Sequence, residues 1–216
     1  MSTDSNNPKL PGYPIAFLPL GAIIQHFYVG PRNIDIVQGF DEEEHYKKYN
    51  AQFFGETIGR VANRISNGKI NDLNGRSYQL AVNNPPNALH GGEKGWGKKT
   101  WDGPIYRGLK NIHLGLQEPV VGEQYTFCLV SEDGDEGYPG SVEMQVFYTT
   151  GTRKNALGKT VQVLDIEYEA RLAEDSDIEE TVVNITNHSY VHKHFLSLFV
   201  SSLLPLPLNL SVWNKY

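Results

Sequence analysis

Acidic residues run out early in this chain. The last is Glu180, and Thr181 to Tyr216 holds no Asp or Glu, although the whole sequence carries a formal net charge of −6. Cysteine is almost absent. The lone Cys128 cannot form an internal disulfide, which fits a reducing, cytoplasmic compartment. No basic block occurs, which argues against nucleic acid as a partner. Met1 to Leu10 is polar and lacks an apolar core, which argues against a signal peptide. The sequons at Asn184, Asn187 and Asn209 are therefore expected to go unused. Phe195 to Val212 has no charge at all, but its 18 residues sit at the short limit for a membrane span. Pro205, Pro207 and several serines also make it a poor helix, so a membrane anchor is the weaker reading. There is no G-x-S-x-G, and Cys128 has no neighbour that would activate it.

Turn formers and aromatics are plentiful. The 21 Gly, 12 Pro, 12 Tyr and 9 Phe point to a β-rich domain with many turns. Short alternating runs carry the same message. Lys69 to Leu73 and Arg76 to Val82 flank Asn74-Gly75, which suits a type I′ turn and predicts a hairpin. Val142, Met144, Val146 and Tyr148 alternate with polar neighbours. So do Val161 and Val163, but the phase slips at Leu164 and continues through Ile166, Tyr168, Ala170 and Leu172; that slip predicts a β-bulge. Cys128 lies in another alternating run, which makes it a strand thiol. Helical signal is confined to Asp41 to Tyr49. Its acids precede Lys47 and Lys48, with i,i+4 spacing at Glu43–Lys47 and Glu44–Lys48. It lacks an apolar stripe and reads as a short surface helix. Many short strands with no linker or repeat predict an all-β sandwich or barrel.

Several segments carry residues suited to chemistry. Read as a strand, Thr181 to Tyr190 puts His188 on a face shared with Asn184 and Thr186. An imidazole there can exchange protons near neutrality, or it can be a plain surface His on a solvated face. His90 is followed by two glycines, which let a backbone turn sharply toward a ligand; a loop His beside a turn is the other reading. Arg64 can offer a rigid fork of donors to hydroxyl oxygens, or serve as a salt-bridged strand residue. Two look-alikes are set aside. Gly92 to Lys98 fits G-x-x-x-x-G-K, but Lys99 stands where a P-loop needs Ser or Thr. His188, His192 and His194 share parity like a metal cluster, yet no carboxylate follows them.

Together the segments are far more specific. Phe53 to Ile65 (Phe-Phe-Gly-Glu-Thr-Ile-Gly-Arg-Val-Ala-Asn-Arg-Ile), Asn87 to Gly92, Asp135 to Gly140 and Asn187-His188-Ser189-Tyr190 occur in the order and approximate spacing of aldose 1-epimerases (galactose mutarotases). The opening strands near Leu20 to Ile24 and Asp35 to Phe40 also resemble that family. The resemblance covers roughly Leu18 to Tyr190. It implies a galactose-mutarotase-like β-sandwich, part of a single domain over residues 1–190, followed by a divergent tail, 191–216. It implies interconversion of the α and β anomers of an aldohexose such as galactose or glucose, with no cofactor and no metal. It assigns the proton donor for the ring oxygen to His188. It places Asn63, Arg64 and His90 on the sugar, with Ser189 and Tyr190 beside the acid. The sequence also departs from the family. After Tyr190 it reads Val191-His192-Lys193 where the family continues Phe-Asn-Leu. The family's general base is a Glu well downstream, and no acid follows Glu180 here. The tail reads like another frame, an unspliced intron or a shortened gene, and the reading expects no base in this chain.

Overall fold

In the computed structural model, residues 14–113, 119–174 and 176–192 are described, together with the backbone of 210–212. Strands β1 (Ile15–Leu18), β2 (Ile23–Val29) and β3 (Ile34–Asp35) form an antiparallel sheet. Helix α1 (Glu43–Tyr49) follows. Five short strands come next: β4 (Thr57–Ile58), β5 (Arg64–Ile65), β6 (Lys69–Leu73), β7 (Arg76–Gln79) and β8 (Ala88–Leu89). The long strands are β9 (Asp102–Ile112), β10 (Val120–Ser131), β11 (Val142–Lys154) and β12 (Thr160–Leu172). Last are β13 (Thr186–Asn187) and β14 (Leu210–Val212). The large sheet has the order β14-β12-β11-β10-β9, antiparallel except for the parallel contact of β14 with β12.

The period-2 pattern explains how the layers pack. Tyr125, Phe127 and Leu129 of β10 lie opposite Tyr148, Val146 and Met144 of β11. This puts one face of the large sheet against Ile15, Phe17 and Ile24 of the small one. Phe17 stacks on Tyr148 with ring centroids 4.7 Å apart and meets Phe127 edge-on at 5.8 Å. Full burial of such a side chain stabilises by about 1.5–3 kcal/mol. The Tyr148 hydroxyl donates to the Ala22 carbonyl at 2.8 Å and lies 3.1 Å from Thr57 Oγ1. That phenol joins both layers to β4, and burial pushes its pKa up. The result is the all-β sandwich that the sequence predicts.

Local expectations meet mixed outcomes. The hairpin forms at β6 and β7, with Asn74 at φ 50° and Gly75 at φ 70°, as a type I′ turn requires. Its second strand ends at Gln79, one hydrogen bond short of Leu80 N–H, which donates to the Gly68 carbonyl. The helix is present. Lys47 pairs with both Glu43 and Glu44, so the expected Glu44–Lys48 pair gives way to Lys48 lying over the Tyr49 ring. Tyr46 is its one buried side chain, packed edge-on against Phe40. The bulge at Leu164 is a correction: β12 pairs with β11 in unbroken register from Thr160 to Leu172. The phase slip arises because the strand buries opposite faces at its two ends. Val163 joins Ile112 and Val120 in a separate cluster, whereas Leu164, Ile166 and Tyr168 face the main core. The strand expected over Thr181 to Tyr190 is also corrected. Only Thr186–Asn187 is regular, and the rest is extended chain bridged to Val61 and, at Val191, to Val37. The Phe195–Val212 anchor reading falls largely outside the described residues. Among those described, no helix is long and apolar enough to cross a membrane.

Candidate sugar-binding cleft

The chain reverses direction just before β5 and just after β8, the two strands that pair Arg64 with Leu89. Asn63 and His90 make those turns, at φ 62° and 51°. They lock each other. His90 N–H donates to the Asn63 carbonyl at 3.0 Å, and Asn63 N–H donates to His90 Nδ1 at 3.0 Å. With Nδ1 accepting, the ring's own hydrogen is placed on Nε2. The glycines after His90 do not reach for a ligand. A side chain at Gly91 (φ 85°) would strike the Gly59 carbonyl, and one at Gly92 (φ 111°) would strike the Glu136 carboxylate. Glu136 in turn accepts from the N–H groups of Glu93 and Lys94, at 3.0 and 2.8 Å. The Asp135–Gly140 segment is thereby tied to the His90 loop.

The third wall comes from the end of the described chain. β13 pairs with β4, so that Asn187 lies opposite Thr57. His188 N–H donates to the Glu56 carbonyl at 2.8 Å, and Gly55 N–H donates to the His188 carbonyl. Asn187 Nδ2 donates to the Gly55 carbonyl at 3.0 Å, and its Oδ1 accepts from Ser189 N–H at 3.0 Å. His188 is thus gripped through its backbone, while its ring packs among those of Phe53, His90 and Tyr190.

These walls form a cleft of about 500 Å3, lined by Ala62, Asn63, Arg64, His90, Thr186, Asn187, His188, Ser189 and Tyr190. All six residues singled out from the sequence lie on it. The His90 and His188 rings meet edge-on at 5.2 Å. Tyr190, 42% exposed, packs edge-on against Phe54 and tilts over His188. Arg64 donates to Asn84 Oδ1 at 2.9 Å and Asn63 Oδ1 at 3.4 Å, and among the described residues no carboxylate pairs with it, against the salt-bridged reading. The Ser189 hydroxyl oxygen is buried with no hydrogen-bond partner among the described residues. A second hollow of about 270 Å3 holds Arg76, Tyr78, Asp133 and Tyr138, but its guanidinium already donates to the Tyr78 hydroxyl.

The cleft's electrostatics act on His90. His90 is pushed down to about 4, first by burial, then by His188 and Arg64. It is neutral at physiological pH, with its Nε2–H as the ring's one donor. No carboxylate lines the cleft among the described residues. No group of three or more His, Cys, Asp or Glu stands ready for a metal among them either. The look-alike Gly92 to Lys98 holds no phosphate cradle; its Lys98 ammonium reaches the buried Glu56. Cys128 is a strand thiol on β10, pushed up by burial.

A sequence profile described as Aldose 1-epimerase matches residues 10–195. The chain belongs to the aldose 1-epimerase family. Among its relatives, bovine galactose mutarotase is 35% identical over 185 residues, covering 81% of this chain and 45% of that protein. The bifunctional protein GAL10 of Pachysolen tannophilus is 43% identical over 153 residues, covering 70% of this chain and 20% of that one. A crystal structure of a GalM/aldose epimerase homologue from C. elegans superposes with a TM-score of 0.60 at 27% identity, covering 82% of this chain and 47% of the other. The chain therefore spans less than half the length of these relatives. The profile match spans the Phe53–Ile65, Asn87–Gly92, Asp135–Gly140 and Asn187–Tyr190 segments, and the fold brings them together. Three of them wall the cleft, and the fourth anchors the wall through Glu136 and Arg60.

Arg60 is 1% exposed and donates to the carbonyls of Ser131, Pro139 and Gly140 and to Ser131 Oγ, at 2.8–2.9 Å. Its charge is answered at one remove, by Asp135, which accepts from Ser131 Oγ and Lys99. Burial lowers it to about 10, which leaves it a cation. Sequence reasoning did not single out Arg60, Glu56 or Lys98. Their signal was a charge inside a glycine-rich apolar run, which is equally the pattern of an exposed turn.

Proposed function

We propose that this chain carries the acid half of a mutarotase site for an aldohexose such as galactose or glucose. His188 gives a proton to the ring oxygen O5 while the anomeric hydroxyl loses one to a base. The C1–O5 bond breaks and C1 becomes an aldehyde. Rotation about C1–C2 presents its other face, and the reverse proton transfers close the ring as the other anomer. Arg64, Asn63 and His90 hold neutral hydroxyls with a guanidinium fork, an amide and an Nε2–H. The observation that carries this reading is the convergence of Asn63-Arg64, His90 and His188 on one cleft, from segments up to 125 positions apart (188 − 63). Keeping His90 neutral leaves a single imidazole to carry the proton, since two adjacent imidazoliums would repel.

Among the described residues no carboxylate lines the cleft, which favours a second reading: sugar binding without turnover. Polarimetry of the 216-residue chain with α-galactose, alongside a binding titration, separates the two. Binding with no rate above the spontaneous one supports the second reading. Turnover that falls about a hundredfold or more in His188→Ala supports the first, and a change under threefold removes His188 as the acid. We expect the chain as written to bind sugar, turn over weakly and self-associate on gel filtration. A monomer with full activity would instead send the search for a base to the Glu residues before position 181.

A further inference from the structure

We propose that Glu56 and Lys98 act as a positioning pair that fixes Phe53 against the His90–His188 couple, and so sets how both imidazoles face a bound ligand; this rests on reading the cleft as a sugar site. Glu56 is 1% exposed, and its Oε1 accepts from Lys98 and from Asn50 Nδ2 at 2.8 Å. Its Oε2 is buried with no hydrogen-bond partner among the described residues, pressed where a side chain at Gly97 would have to go. The Lys98 ammonium also donates to the Asn50 carbonyl at 2.8 Å and sits 4.7 Å from the Phe53 ring centroid. Phe53 meets His90 edge-on at 4.8 Å and His188 at 5.6 Å. One unbroken set of contacts thus runs from a buried carboxylate, through an ammonium and an aromatic ring, to both imidazoles.

The local backbone supports this role. Phe53 is held at φ 60°, a conformation that costs a bulky residue energy. The turn is braced by Asn50, whose side chain accepts from Phe54 N–H at 2.8 Å and donates to the Phe54 carbonyl at 3.2 Å. Glu56 grips the site twice, since its own carbonyl accepts His188 N–H. A buried carboxylate with an orphan oxygen, paired to a half-buried ammonium, is a poor device for stability alone, because apolar packing would serve as well or better. Burial pushes the Glu56 carboxyl up to about 7, against the opposite pull of Lys98 and Asn50.

The test follows the imidazole Cε1–H signals of His90 and His188 by NMR, assigned with His90→Gln and His188→Gln. It compares the unaltered chain with Lys98→Arg, Lys98→Met and the charge-neutral double variant Glu56→Gln/Lys98→Met. Loss of the ammonium frees Phe53, so both signals move in Lys98→Met and in the double variant, and Lys98→Arg restores them. Galactose affinity falls roughly three- to thirtyfold in the double variant, as loss of a partly buried cation–π contact does. Unmoved signals and unchanged affinity in a folded double variant overturn the proposal. The double variant guards against misfolding from a buried lone charge. If galactose shifts no cleft signal in the unaltered chain, the sugar reading fails, while the imidazole signals still decide whether the pair positions the rings.

Discussion

The long sheet and the cleft wall are built by different rules. Strands β9 to β12 run 11 to 13 residues each, and their side chains alternate between the core and the outer face. The wall uses β4, β5, β8 and β13, each of two residues. Such pieces have too few ladder bonds to hold themselves. They are held by side chains that bond to backbone: Asn50, Asn83, Arg60 and Asn187. Non-glycine residues at positive φ gather there too, among them Phe53, Asn63 and His90. Periodicity specifies the sheet, while specific polar contacts specify the site.

Breaking each region in its own way tests that contrast. The largest expected effect is in the sheet. Phe127 is fully buried, so Phe127→Ala should cost about 3–5 kcal/mol in urea unfolding. Galactose affinity of the remaining folded molecules should hold. If affinity falls in step, sheet and cleft are one mechanical unit. Next is Arg64→Ala, which should weaken galactose binding about tenfold through lost charge-assisted hydrogen bonds, with little change in melting temperature because the side chain is exposed. Unfolding with affinity intact would make Arg64 structural.

The smallest effect sharpens the comparison within the wall. Glu56 is raised from 4.5 to about 7. The folded chain keeps that proton where the unfolded chain has lost it. Its contribution to stability is full below about 4.5 and is lost as pH rises through about 7. His90 is lowered from 6.5 to about 4, so its contribution is full above 6.5 and is lost as pH falls through 4. The two oppose each other between about 4.5 and 6.5. Urea midpoints should therefore rise with pH over that range in Glu56→Gln, fall in His90→Gln, and change least in the unaltered chain. Parallel profiles in all three would remove both shifts.

Much of the sheet was legible because a period is local. The Asn74-Gly75 hairpin and the β11 alternation need only their own residues to be read. The β12 phase slip was legible but misread, since a strand that changes its buried face mimics a bulge when its partner is unseen. In the site, the six residues emerged through whole motifs in their order and approximate spacing, not through any one residue read alone. Glu56 and Lys98 stayed hidden because their meeting spans 42 positions and depends on the turn that Asn50 braces. The two-residue strands were illegible for the same reason. Thr186 and Asn187 are strand only because β4 lies beside them.

The outer edge of the large sheet has a consequence of its own. Among the described residues, β9 pairs along one side only, with β10. Alternate amides along it point toward β10 or away, so deuterium should enter the strand at two speeds, fast and slow in turn. An open edge of this length also invites a foreign strand. Here Pro104, Lys110 and two register shifts against β10 interrupt it, while Ile105, Tyr106 and Leu109 stay exposed. The rim is defended at its ends and sticky in the middle, so the first place to add a lysine for a better-behaved preparation is Leu109.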